Sequence, residues 1–169
     1  IANITTGPLA NKAYLEQKAD LSSVAIVTPA SLNGWDYQSY GIWITGYNGS
    51  SGTVGGGSAG TPTTGVAIPT SGTATFTGNS LGTYVNSSGQ SYLTGSSLTA
   101  TANFATRSIG FATTGTQALA LNGGTSFVAA SGLNMTGTLS YASASNLITG
   151  TVTTAGGGSI GSNVQTGTL

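Results

Sequence analysis

The chain has 169 residues, 28 of them glycine, with no cysteine, no histidine and only three basic and three acidic side chains. At 4% charged residues, where about 25% is ordinary, it has too few cations to hold nucleic acid phosphates or an anionic membrane surface, and no thiolate for a disulfide or a metal. Its length suits one domain around one core, and no apolar run approaches the ~20 residues of a spanning helix.

Five of the six charges fall early, at Lys12, Glu16, Lys18, Asp20 and Asp36; Arg107 is the only charged side chain after them. "GPLANKAYLEQKADLSS" from Gly7 predicts a short helix, with Pro8 in its first turn and Lys12 four residues before Glu16. "SSVAIVTPAS" then predicts a strand ended by Pro29. Residues 1–33 thus read as an N-terminal arm, helical then extended, and residues 34–169 as the main domain. "GWDYQSYGIWITGY" is dense in aromatics, and its second half predicts a strand buried on both faces. "NGSSGTVGGGSAGTPTTG" reads as a long loop or a weakly held hairpin.

From there alternation takes over. Ala74 and Phe76 oppose Thr73, Thr75 and Thr77, and "GTYVNSSGQSYLTG" predicts two strands around an Asn-Ser-Ser-Gly turn. Leu98, Ala100, Ala102 and Phe104 share a face opposite Thr99, Thr101 and Asn103, and Ile109 and Phe111 follow across a turn. "QALALNGGTSFVA" predicts a hairpin at Asn122-Gly123-Gly124. Leu133, Met135, Leu139 and Tyr141 oppose Asn134, Thr136, Thr138 and Ser140; Ile148 and Val152 repeat the pattern, and "SNVQTGTL" begins one more strand. Short strands at this spacing predict an all-β fold, an antiparallel up-and-down β-barrel or barrel-like sandwich, with Phe76, Leu98, Phe104, Ile109, Phe111, Leu139 and Ile148 facing inward. The wet face would carry Thr and Ser in place of Lys and Glu.

"YQSYGIWITG" from Tyr37, followed after a Gly-rich loop by "IPTSGTATFTGNSLGTYVNSSGQSYLTGSSLTATANFATRSIGFATTGT" from Ile68, resembles the transferrin-binding-protein-B-like β-barrel family of bacterial surface and secreted proteins. The shared pattern is a Tyr-x-x-x-Gly-x-Trp strand, then Gly-x-Ala-x-Tyr/Phe-x-Gly, Gly-x-Tyr-Val and an alternating strand ending near Asn-Phe. The resemblance implies a barrel outside the cell or on its surface, and capture of a small ligand or of a host iron or haem carrier. It carries over no binding residue. Family members close the barrel with a strand resembling Gly-x-Phe-Tyr-Gly-Pro, which this sequence does not contain. A start at Ile1 in place of Met is expected where a secretion signal has been removed.

Candidate sites are few. Without His or Cys the usual general base and thiol nucleophile are missing, so no enzyme, catalytic residue, cofactor or metal is expected. Glu16 and Asp20, four apart on a helix, could pair as glycosidic carboxylates do, but a solvated helix face is the plainer reading. Met135, a conceivable haem ligand, fits the apolar strand face. Trp35, Tyr37, Tyr40, Trp43 and Tyr47 form the candidate ligand or partner contact, weighed against a place in the barrel core and mouth. Arg107 reads as a solvated turn residue before it reads as a ligand anchor. Asn3, Asn48, Asn86 and Asn134 begin Asn-x-Ser/Thr sequons, common by chance in so Ser/Thr-rich a chain.

Two functions follow as expectations. The first is an extracellular structural subunit that self-assembles into a filament, sheath or layer, a homopolymer in which one copy lends a strand to the next. The β-prone Val24, Ile26 and Val27 are the candidate donor. The second is a secreted or surface β-barrel binding protein. Low charge favours the first, because desolvating hydroxyls costs far less than desolvating ions.

Overall fold

A computed structural model describes residues 1–20, 22–34, 38–46 and 52–168. The fold is all-β. Five strands, β1 (Ala2–Asn3), β2 (Tyr14–Gln17), β3 (Ser23–Thr28), β4 (Gln38–Thr45) and β5 (Thr53–Gly60), make an antiparallel meander in chain order. A second sheet holds β6 (Thr73–Val85), β7 (Ser91–Asn103), β8 (Ser108–Ala120), β9 (Val128–Ala129), β10 (Met135–Tyr141), β11 (Ile148–Thr154) and β12 (Thr166–Thr168). Its order is β12-β11-β10-β8-β7-β6, with β9 beside β8. Both sheets are open at their ends, and no closed barrel forms among the described residues. The only α-helix among them is one turn, α1 (Ala30–Asn33), ended by Gly34 at φ +64°.

The chain divides into two compact units: Ile1–Thr61 with Leu81–Gly95 and Gln117–Val128, and Pro62–Ser80 with Ser96–Thr116 and Ala129–Leu169. In the first, alternate residues of β3 and β4 point one way: Val24, Ile26 and Ile44 are buried and pack with Leu9, Ala13, Leu93 and Leu121. Opposite-parity residues of the same strands face solvent, with Val27 and Trp43 both 46% exposed. The aromatic-dense strand expected to be buried on both faces is therefore buried on one.

The helix expected from Gly7 does not form. Tyr14–Gln17 is a strand, registered on β3 from Tyr14↔Val27 to Gln17↔Val24. Where an arm was expected, residues 1–20 and 22–33 carry the first three strands of the sheet and α1. Leu9 is 1% exposed and lies over Gly95, where a Cβ would stand 2.7 Å from its Cδ1. A short isolated helix is marginal in water, and a neighbouring strand edge with a place for Leu9 and Ala13 in the core outweighs its capping and charge cues. The Gly-rich segment after Gly52 likewise becomes β5, paired residue for residue with β4 from Gln38↔Gly60 to Thr45↔Thr53. Its glycines bring it close: a Cβ at Gly55 would run into the Trp43 ring.

In the second unit, β10 is registered between β8 and β11, with Leu139 opposite Ile109 and Gly150, and Tyr141 opposite Ile148. The other face is hydroxyl-bearing. Thr136, Thr138 and Ser140 stand opposite Thr153, Thr151 and Thr149, and Thr151 and Thr153 stand opposite Thr168 and Thr166. Side-chain capping builds two hairpin turns: the expected Asn-Ser-Ser-Gly turn, and between β7 and β8 a turn over residues 104–107, where one was expected at Thr106 to Ser108. The Asn86 Oδ1 accepts from the Ser88 N–H (3.0 Å), the Ser88 hydroxyl (2.7 Å) and the Gln90 N–H (2.9 Å), with Gly89 at φ +82°. The Asn103 Oδ1 accepts from the Ala105 and Thr106 N–H groups, each at 3.1 Å.

Candidate functional site

Of the five aromatic candidates, Trp35, Tyr37 and Tyr47 lie outside the described residues. Tyr40 and Trp43 stand three apart on β4, so the strand's period of two sends them to opposite faces. Trp43 lies on the outer face beside Gly55, at the side of a shallow depression of about 440 Å³ floored by Gly41 and Gly57. Tyr40 turns the other way. Burial raises its phenol pKa above the ordinary value, opposed by a hydrogen bond with Thr28. The Thr28 hydroxyl also donates to the Tyr40 carbonyl at 2.8 Å.

Val24, Ile26 and Val27, the candidate donor strand, sit in β3 between β2 and β4, hydrogen-bonded on both sides. Lending them to a neighbour would break both pairings and expose Val24 and Ile26, which are 2% and 0% exposed. Glu16 lies in β2 and Asp20 in the turn after it, so the helical spacing that would set the two carboxylates side by side does not exist. Asp20 accepts from the Ser22 N–H at 2.9 Å, and its hydrogen bonds with Ser22 lower its pKa. Met135 is half-buried in β10, and its N–H donates to the Thr113 hydroxyl at 2.7 Å. No group of three or more His, Cys, Asp or Glu that could hold a metal occurs among the described residues. Two sequon asparagines build structure: Asn86 the hairpin above, and Asn134, whose Oδ1 accepts from the Thr116 N–H (3.1 Å) and hydroxyl (2.7 Å).

A deeper concavity lies in the second unit, on residues expected to be its interior. Phe76, Ala102, Ile109, Tyr141 and Ile148 of the sheet, with Phe104 in the turn after β7, line a groove of about 510 Å³, with Pro62, Thr63, Ile68 and Pro69 along its side. Phe76 is 56% and Ile148 45% exposed, so this face is not a sealed core. The wall is pinned by the Asn146 Nδ2, which donates to the Thr63 carbonyl at 3.0 Å, and by Gly65, where the Ala144 carbonyl leaves no room for a side chain. A second cavity of about 260 Å³ shares Ile68, Pro69, Phe104 and Tyr141 with the first and adds Thr70, Arg107 and Ser143. One end is therefore apolar, the other hydroxylic and cationic. The Tyr141 hydroxyl is buried without a hydrogen-bond partner.

The alternation of Phe76, Phe104, Ile109, Tyr141 and Ile148 was readable as one face. Nothing in it indicated that the face stays open, or that the 62–70 segment and Arg107 border it.

No protein-family model matches the chain, and no curated protein matches it significantly. No helix among the described residues is long and apolar enough to cross a membrane.

Proposed function

We propose that the chain is an extracellular structural subunit that assembles with copies of itself through the open edges of its sheets. The observation that carries this reading is β6: thirteen residues at the end of its sheet, without a charge or a proline. A long edge strand presents a row of unpaired N–H and C=O groups, and proteins that stay apart blunt such edges with Lys, Pro or bulges. β5 is a second uncharged edge, eight residues long and mostly Gly and small residues. Pairing of existing edges now replaces donation of β3 in this reading, since β3 is engaged on both sides. The uncharged Thr and Ser face of β10, β11 and β12 supports it further, because such a face packs against a copy without burying ions.

Electron microscopy and light scattering of the concentrated protein test this. Filaments or sheets are expected, and T75K with T77K, two charges on exposed positions of β6, should abolish them while leaving the circular dichroism unchanged. A wild-type chain that stays monomeric at high concentration rejects the function. A polymer that survives both lysines rejects β6 as the contact.

A further inference from the structure

We propose that the groove of the second unit binds a small amphiphilic anion, its acidic head at Arg107 and its apolar tail along Phe104, Phe76 and Ile109. This does not rest on self-assembly: the groove takes a face of the sheet, Phe76 of β6 included, and not the hydrogen-bonding edge of β6.

Shape comes first. The two adjoining cavities, about 510 and 260 Å³, share four lining residues. The larger falls in the ~300–1,000 Å³ range of small-molecule sites, and the smaller extends it at one end. The larger is lined mainly by apolar side chains from four strands and by two prolines, and exposed Phe76 and Ile148 offer surface that a ligand tail can take out of water.

Charge then selects the ligand class. Arg107 is exposed and lines the smaller cavity with Thr70 and Ser143. The second unit's residues include no aspartate or glutamate, so its one cation has no side-chain counterion within the unit. A guanidinium presents a planar fork of donors that matches a carboxylate or a phosphate ester in two parallel hydrogen bonds. One cation at one end of an otherwise apolar groove matches a ligand with one charge and one tail.

Two further observations point to the same end of the groove. Arg107 adopts φ +54° in the turn between β7 and β8, where Gly or Asn would be less strained. Turn chemistry alone does not call for arginine there. Tyr141 lines both cavities, and its N–H donates to the Arg107 carbonyl at 3.3 Å while its hydroxyl is enclosed without a partner.

Dodecanoate is the probe and dodecanol its neutral counterpart, with binding measured by calorimetry below the micelle concentration. Saturable binding of dodecanoate is expected, with dodecanol weaker by about ten- to a hundredfold, the range for one lost charge-assisted hydrogen bond. R107N removes the charge and keeps a residue at ease at positive φ, so the fold should persist. It should weaken dodecanoate to the level of dodecanol and leave dodecanol unchanged. F76S, at an exposed position, should weaken both. Absence of saturable binding, equal affinity for the two probes, or an R107N variant that binds dodecanoate as before overturns the proposal. R107N should still assemble as the wild type does, so loss of ligand and loss of polymer are read separately.

Discussion

Among single residues, Tyr40 carries the clearest consequence for pH. Burial favours its neutral phenol, so its pKa in the native state lies above that in the unfolded chain, which is ~10. A raised pKa means that the native state holds its proton longer than the unfolded state does. The resulting stability is complete below the unfolded pKa and is lost as pH rises through the folded one. Urea midpoints should therefore fall in strongly alkaline solution, and Tyr40→Phe should flatten that fall; an alkaline limb unchanged by the substitution would show that Tyr40 does not cause it. The sequence placed Tyr40 and Trp43 in one aromatic group, although strand parity alone separates them. Arg107 was harder to read. Its place in a hairpin turn was legible, but the cavity beside it depends on where the 62–70 segment docks.

At the scale of elements, legibility followed side-chain alternation. The strands β6, β7, β8, β10 and β11 all stood out, because Thr, Ala, Phe and Ile alternate there over several residues. β5 did not, because "TVGGGSAG" has few side chains with which to show a period; what makes it a strand is its pairing with β4 and the way Gly55 admits the Trp43 ring. β2 is masked in the sequence for the opposite reason. Its neighbourhood holds genuine helix cues, and the competing strand edge of β3 becomes its neighbour only through the turn that follows. The two readings of residues 1–33 differ in a measurable way. An exposed arm residue changes stability by no more than about 0.5 kcal/mol when truncated. Leu9, 1% exposed in the core with Ile26 and Leu93, should cost about 2–5 kcal/mol on Leu9→Ala, read from urea unfolding. A loss within the surface range would return this segment to the status of an arm.

For the molecule as a whole, the governing fact is that six charged side chains serve 169 residues at zero net charge. Ordinary soluble proteins repel their copies through net charge and interspersed ions, and at about 1 M salt, where the Debye length is about 3 Å, that repulsion is largely screened. This chain has little repulsion to screen. Polymerisation through β6 or β5 would bring together strands that bear no charge, so sodium chloride has almost nothing to act on. Raising it from low concentration to about 1 M should leave both the unfolding midpoint and the critical concentration for assembly nearly unchanged. Sodium sulfate should act differently: it is excluded from protein surface and strengthens burial, so it should raise the midpoint and lower the critical concentration. Sedimentation across matched series of the two salts separates the cases. A polymer that dissolves in sodium chloride would be held by ion pairs, and the carboxylates Glu16, Asp20 and Asp36 all precede Gln38. The contact would then involve the N-terminal segment of one copy, and the uncharged edges would not be the joint.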